Sequence, residues 1–385
     1  MNFVLNPPES YNYTVDVLSG TGCILPFKQL FVHESGNIGL CCPTWLRETC
    51  GNIFTDSPQE ILENVNRKRL LNDMSQGKYT SCNDLCPLLN SSLTDGKIKD
   101  SPLNGRILTS PVRGSRFESH IQPLDKLKDA VASSEYQITF GYDRSCNLQC
   151  PSCRKGLILH QPSEVSDPKI EKMLKIHENT KSLINLLISR GEAVTLAITG
   201  SGDPFASPLY WGYIKELSDM DLPDNFRIRL ITNGVLMTQN AWNEIEPLWK
   251  HISSISISVD AATVETYKIV RYPGSFINLK RNLTVLDDMV FEKKFANLEG
   301  WRTIIVVQSA NYKELADFAR WQLTYKTLST ISTVIIQQWG HLSDEEIKNM
   351  LKIDLDELRV ILSDPIFNDP RVLLGNLSSF KKVDI

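Results

Sequence analysis

Three cysteines constrain this chain more than anything else in it: Cys146, Cys150 and Cys153 stand in the run CNLQCPSC, a CxxxCxxC spacing. With nine cysteines in 385 residues, random placement yields that spacing only about 0.005 times per chain. Three thiolates hold three irons of a four-iron, four-sulfur cluster and leave the fourth iron open to a substrate or cofactor. A zinc site short of its fourth ligand is the competing reading. Disulfides are the weaker alternative. No window approaches eighteen consecutive apolar residues, and the opening MNFVLNPPESYNYTVD has neither a basic nor an apolar signal region. The expectation is a cytoplasmic protein without a membrane segment, in a compartment that keeps thiols reduced.

The other six cysteines, Cys23, Cys41, Cys42, Cys50, Cys82 and Cys86, all lie in the first quarter, and none follows Cys153. Two metal sites are the natural expectation. Between the groups, residues 88 to about 130 are rich in Ser, Gly, Pro and Asn and read as a surface crossing. From about residue 135, β-branched runs at 136–142, 193–199, 226–232, 254–260, 303–308 and 333–338 alternate with helical spacing at 168–189, 208–219, 240–248, 263–270, 276–291 and 312–324. That alternation predicts an α/β fold with a parallel sheet or barrel of at most six βα units, short of a complete eightfold barrel. A net charge of −4 argues against a nucleic-acid-coating protein. The 42% hydrophobic and 22% charged residues leave no case for wholesale disorder.

CxxxCxxC on the first βα loop of a six-unit partial barrel resembles the radical S-adenosylmethionine (SAM) enzymes. The likeness continues at later strand ends. TGSGDP at 199–204 resembles the family's Gly-Gly-Glu-Pro segment, which implies SAM contacts from Gly200, Ser201, Gly202 and Asp203. Asn233, then Ser258 and Asp260 in SISVDAAT, Arg271, and Gln308 in VVQSAN resemble elements that contact the ribose, carboxylate and adenine. Ser152 replaces an aromatic found in many members, and Ser201 and Asp203 replace the second Gly and the Glu. Outside this resemblance, Gly200–Asp203 would be a turn, Asp260 a helix cap and Arg271 a solvated charge.

Cys23, followed by Gly36 and Cys41, resembles the opening of the SPASM and twitch auxiliary-cluster domains, in which a hairpin turning at the Gly brings two thiolates together. GNI at 51–53, a helix-like stretch at 58–75 and CNDLCP at 82–87 continue the likeness. It implies that Cys23, Cys41, Cys82 and Cys86 close one auxiliary [4Fe-4S] cluster, with a structural zinc knot as the alternative. The expected domains are an auxiliary-cluster α+β domain at 1–90, a crossing at 91–132, the radical SAM partial (βα)6 barrel at 133–345 and a helical extension at 346–385. Cys42 reads as a small apolar residue or an alternative to Cys41. Cys50 reads as a thiol near the substrate, able to return a hydrogen atom in an epimerisation, a role that requires Cys50→Ala to lose turnover while still cleaving SAM.

The six histidines show no metal-binding pairing. The residues 344–362 carry helical spacing suited to an outer helix, and Trp339 reads as core. The resemblance implies reductive cleavage of SAM and hydrogen abstraction from a ribosomally made peptide, for crosslinking, thioether formation or epimerisation. Oxidation of a sugar, cyclitol or other small molecule is the second expectation. A non-catalytic iron-sulfur or zinc protein is the third. The implied partners are a reductant such as flavodoxin or ferredoxin and a separate leader-peptide-binding protein.

Overall fold

The computed structural model describes residues 21–41, 46, 48–79, 81–82, 121–164, 166–199, 201–336 and 342–380. Cys42, Cys86, Gly200 and Trp339 therefore lie outside the described residues. The chain divides into two compact units that do not follow chain order. One comprises Val4–Tyr142 and Pro162–Ala197, the other Asp143–Gln161 and Ile198–Ile385. Among the described residues no helix is long and apolar enough to cross a membrane.

The first unit holds the cysteine-rich amino-terminal region. Strand β1 (Thr21–Cys23) leads through helix α1 (Leu25–Lys28) into β2 (Gln29–His33), β3 (Asn37–Gly39) and β4 (Thr49–Asn52), an antiparallel run of three. The expected hairpin forms, and its turn explains the glycine. Gly36 has φ of 90°, and a Cβ there would stand 2.4 Å from the Asn52 side-chain oxygen. Asn52 binds the turn by donating from Nδ2 to the carbonyl of Ser35 at 3.2 Å and to Asn37 Oδ1 at 2.9 Å. The helical stretch at 58–75 is two helices, α2 (Pro58–Glu63) and α3 (Val65–Ser75). Asn64 separates them because its side chain caps α3, accepting from the N–H groups of Asn66 and Arg67.

The end of the expected crossing carries regular structure, a correction to its reading as linker. β5 (Ile121–Pro123) pairs antiparallel with β1, and helix α4 (Leu124–Ala132) follows. Leu127 gives the stretch its anchor, buried beside Gly22. β6 (Tyr136–Gly141) lies parallel to β2, and α5 (Pro168–Ser189) and β7 (Val194–Ile198) complete the unit.

The second unit is built on β8 (Phe226–Thr232), β9 (Ile252–Ser258), β10 (Gly300–Val307), β11 (Leu328–Ile335) and β12 (Val372–Leu373), all parallel in the order β8-β9-β10-β11-β12. α6 (Pro208–Ser218) precedes β8, α7 (Gln239–Asn243) and a 3-10 turn follow it, and α8 (Val264–Val270) and α9 (Phe276–Phe291) follow β9. α10 (Leu315–Gln322) lies between β10 and β11. Apolar residues at helical spacing in α9, Phe276, Leu279, Leu283 and Leu286, are all buried. One face of the sheet is covered throughout: Ile228, Ile255, Ile257, Trp301, Ile305 and Val307 are all 0% exposed. The fold is α/β with a largely parallel sheet that stays open and unclosed, as the strand pattern predicts. The carboxyl-terminal region holds two helices, α11 (Asp344–Met350) and α12 (Leu355–Leu362), and a strand the sequence reading missed. That strand, β12, is two residues long, too short to show a period.

Candidate active site

The CxxxCxxC loop follows β6, and an acidic residue at its start organises it. Asp143 is fully buried. Its Oδ1 accepts from Ser145 N–H at 2.9 Å, Ser145 Oγ at 2.7 Å and His160 Nδ1 at 2.8 Å, and its Oδ2 accepts from Ser207 Oγ. Burial pushes this carboxyl up, but the hydrogen bonds from His160, Ser207 and Ser145 outweigh it and leave the group below the ordinary range. The loop's returning arm is tied in twice, by Cys146 N–H to the Ile158 carbonyl at 2.8 Å and by His160 N–H to Ser145 Oγ at 2.8 Å. A turn at Cys150, whose carbonyl accepts from the N–H groups of Cys153 and Arg154, draws the last two cysteines together.

Each thiol has a donor aimed at its sulfur. Asn233 Nδ2 stands 3.6 Å and Leu148 N–H 3.4 Å from Cys146 Sγ. Arg271 Nη1 stands 3.5 Å from Cys150 Sγ, and Arg154 Nη2 3.6 Å from Cys153 Sγ. Burial pushes the Cys146 thiol up to about 12, with Asp203 adding to the shift and Arg154 opposing it. Cys150 is raised by the same cause against the pull of Arg271. Such thiols ionise only when a metal takes the place of the proton, and N–H donors with two guanidinium groups suit cluster thiolates. The donor set fits a cluster. Among the described residues no three His, Cys, Asp or Glu side chains are placed to hold a metal ion.

The strand-end residues converge on this loop. Gly202 has φ of 78°, and a Cβ there would meet the carbonyl oxygens of Ser145 at 2.6 Å and Asp143 at 2.8 Å. Ser201 Oγ donates to the Asp143 carbonyl at 3.3 Å. Asp203 turns inward: its N–H donates to the Ser145 carbonyl at 2.8 Å, and its carboxylate accepts from Thr232 Oγ1 at 2.8 Å, Asn233 N–H at 2.7 Å and Phe205 N–H at 3.0 Å. Burial pushes this carboxyl up against those bonds. Asn233 bridges to the loop through Asn147 Oδ1 at 2.8 Å. Asp260, with φ of 63°, pairs with Arg271 at 2.7 Å and accepts from Val306 N–H at 2.7 Å. Ser258 ends β9, and the Gln308 backbone is held by Asn311 Oδ1 at 2.8 Å. Three buried polar atoms here, Gln308 Nε2, Arg271 Nε and Tyr267 Oη, have no hydrogen-bond partner among the described residues.

In the amino-terminal unit, Cys23 ends β1 and Cys41 lies two residues beyond β3. Buried Tyr79 links two of the cysteine segments, accepting from Cys23 N–H at 2.6 Å through its hydroxyl and from Cys82 N–H at 2.9 Å through its carbonyl. Burial pushes the Tyr79 phenol up, and the Cys23 and Cys82 thiols add to the shift. Cys50 sits fully buried in β4, where burial pushes its thiol up to about 11. Sequence reasoning missed Asp143, Ser207, His160, Arg154 and Tyr79. Asp143 and Arg154 flank the cysteine motif, the one signal that marks them. Nothing local marks Ser207 or Tyr79.

Residues 143–321 match the family model of the radical SAM superfamily. Residues 23–87 match that of the SPASM iron-sulfur cluster-binding domain. A solved structure described as TYW1 with a lysine-pyruvate adduct bound aligns at 20% identity over 58% of this chain and 70% of that one, with a TM-score of 0.34. No curated protein matches the chain. The two family-model matches, with the cysteine loop, show a radical SAM domain at residues 143–321, which implies SAM and a [4Fe-4S] cluster, and a SPASM domain at residues 23–87, which implies auxiliary iron-sulfur binding.

Proposed function

We propose that Cys146, Cys150 and Cys153 hold the SAM-cleaving cluster and that the enzyme modifies a ribosomally made peptide by crosslinking, thioether formation or epimerisation. The observation carrying the first half is the placing of a hydrogen-bond donor at each of the three sulfurs, buried Cys146 and Cys150 and half-buried Cys153. When bound, the cluster supplies the electron that cleaves SAM to a 5′-deoxyadenosyl radical, which abstracts a hydrogen atom from the substrate.

The chain's own residues orient and shield. Asn233, Arg271 and Arg154 fix the thiols by N–H donation, and Asp260 holds the Arg271 guanidinium in place. Gly202 lets the 201–203 segment lie against the loop backbone, where its carbonyls and Ser201 would hold the SAM amino group. Gln308 Nε2 and Arg271 Nε, without partners among the described residues, would donate to acceptors on SAM, as buried donors demand acceptors. Ser258, at the end of β9, would contact the ribose. Cys23, Cys41, Cys82 and Cys86 hold one auxiliary [4Fe-4S] cluster that relays an electron, with a flavodoxin or ferredoxin as reductant and a separate protein to present the leader peptide. The peptide assignment rests on the pairing of the two domains. Burial of Cys50 favours a packing role over hydrogen donation.

The test is anaerobic incubation of reconstituted enzyme with SAM and dithionite, reading methionine and 5′-deoxyadenosine. Release of both in equal amounts is expected, with loss in Cys150→Ala. No release from protein with its full iron would contradict the proposal.

A further inference from the structure

Beside the cysteine loop stands a buried group to which the proposed chemistry gives no part, the phenol of Tyr267. The residue is 0% exposed, and its hydroxyl has no hydrogen-bond partner among the described residues. Leaving a buried hydroxyl unpaired is costly, so its retention here points to an acceptor that arrives with a bound group.

The local geometry fixes where that hydroxyl lies. Tyr267 stands on α8 four residues before Arg271, whose N–H donates to the Tyr267 carbonyl at 2.8 Å. Such a spacing puts both side chains on one face of the helix, and from that face Arg271 reaches Cys150 Sγ. The Tyr267 ring rests on Phe276, with centroids 5.1 Å apart. At Gly274 a Cβ would meet the Arg271 carbonyl oxygen at 2.8 Å, Leu148 Cδ2 at 2.9 Å and Tyr267 Oη at 3.0 Å. Leu148 lies between Cys146 and Cys150, so the hydroxyl and the cysteine loop both lie against this glycine. The next residue of the loop, Gln149, donates its N–H to the Tyr272 carbonyl at 2.6 Å. The segment from Tyr267 to Gly274 is thus built against the first half of the cysteine motif. Electrostatics agree with this placement. Burial pushes the Tyr267 phenol up; Arg271 opposes the shift, and Cys150, Asp260 and Asp203 add to it. The phenol stays protonated and keeps its O–H to donate.

We propose that the Tyr267 hydroxyl donates to sulfur of the cluster held at Cys150 and so raises that cluster's reduction potential. This rests on the reading of the loop as the SAM-cleaving centre and adds a hydrogen bond that tunes it. A reduced cluster carries one more negative charge than an oxidised one, so an O–H donor binds the reduced form more strongly. Hydrogen bonds to the sulfurs are among the levers that set cluster potentials.

The test is a dithionite titration of the reconstituted protein without SAM, in which the cluster takes up one electron, followed by electron paramagnetic resonance. The signal read is the one that the Cys146, Cys150 and Cys153 triple Ala variant lacks. If wild type shows no such signal, the reading of the loop fails and this proposal falls with it, an outcome distinct from an unmoved midpoint. Tyr267→Phe is expected to lower the midpoint by about 59 mV, a tenfold shift of a one-electron equilibrium, with iron per chain unchanged. Replacing Tyr267 by a ring-monofluorinated tyrosine, a stronger donor of nearly the same shape, is expected to raise it, and decides the matter if the Phe variant takes up no iron. Tyr272→Phe, at an exposed tyrosine, serves as control and is expected to titrate as wild type. A packing role alone would leave the midpoint unmoved in both Tyr267 variants and would overturn the proposal. So would a shift that emerges only once SAM is added, which would make the hydroxyl a SAM contact.

Discussion

The two cysteine sites are built in opposite ways. At the CxxxCxxC loop the cysteines are close in sequence, and their environment is assembled from afar: Ser207, Asn233, Asp260 and Arg271 arrive from three later βα connections. In the amino-terminal unit the cysteines themselves are far apart, and what aligns them is mostly backbone, a hairpin at Gly36 and the Tyr79 hydroxyl and carbonyl. The first is a short motif waiting for a fold to complete it. The second is a set of distant cysteines waiting for a local frame. Variants at the first site should therefore remove iron from that site alone, and variants at the second should spare it.

The largest effect is expected at Arg271. Arg271→Met leaves Asp260 buried without its partner, a loss of about 3–5 kcal/mol in chemical denaturation, with iron lost from the CxxxCxxC site. Gly202→Ala comes next. A Cβ at 2.6 Å from a carbonyl oxygen, on a residue with φ of 78°, is expected to cost about 3 kcal/mol and to displace the loop, read as slower reconstitution of that cluster. Tyr79→Phe carries the comparison to the other site. It removes the acceptor of the buried Cys23 N–H, and about 1–2 kcal/mol should be lost, with faster removal of the auxiliary iron by chelator.

The smallest effect is one of pH. Asp143 has its carboxyl pKa lowered by folding, so its contribution is present above the unfolded value of about 3.9 and is lost as pH falls through the lower folded value. The stability gap between wild type and Asp143→Asn should thus be constant above about pH 5 and shrink below about pH 4. A gap that widened on acidification would mean that the carboxylate is not the form the loop uses.

Periodicity made most of the sheet legible. β6, β7 and β8 fall within a residue of their sequence ranges because β-branched alternation and flanking Gly and Pro bounded them. β11 begins at Leu328, five residues before the run at 333, because Ser and Thr at 329–333 hide an alternation that only burial reveals. The region from 121 to 132 was hidden by a polar helix with one buried anchor, Leu127. At the site, cysteine spacing marked the thiols, and the family resemblance marked Asn233 and Asp260 at strand ends and Arg271 at the end of the helix that follows. Asp143 and Ser207 were not legible, since a hydrogen bond across 64 residues leaves no local pattern.

The measurement that tests the account most directly is iron, sulfide and zinc per chain after anaerobic reconstitution, for wild type and for the Cys146, Cys150 and Cys153 triple Ala variant. About eight irons falling to about four, with the remaining iron sensitive to Tyr79→Phe, is the predicted result. About four irons falling to none, with one zinc retained, would contradict it and make the amino-terminal site a structural zinc knot.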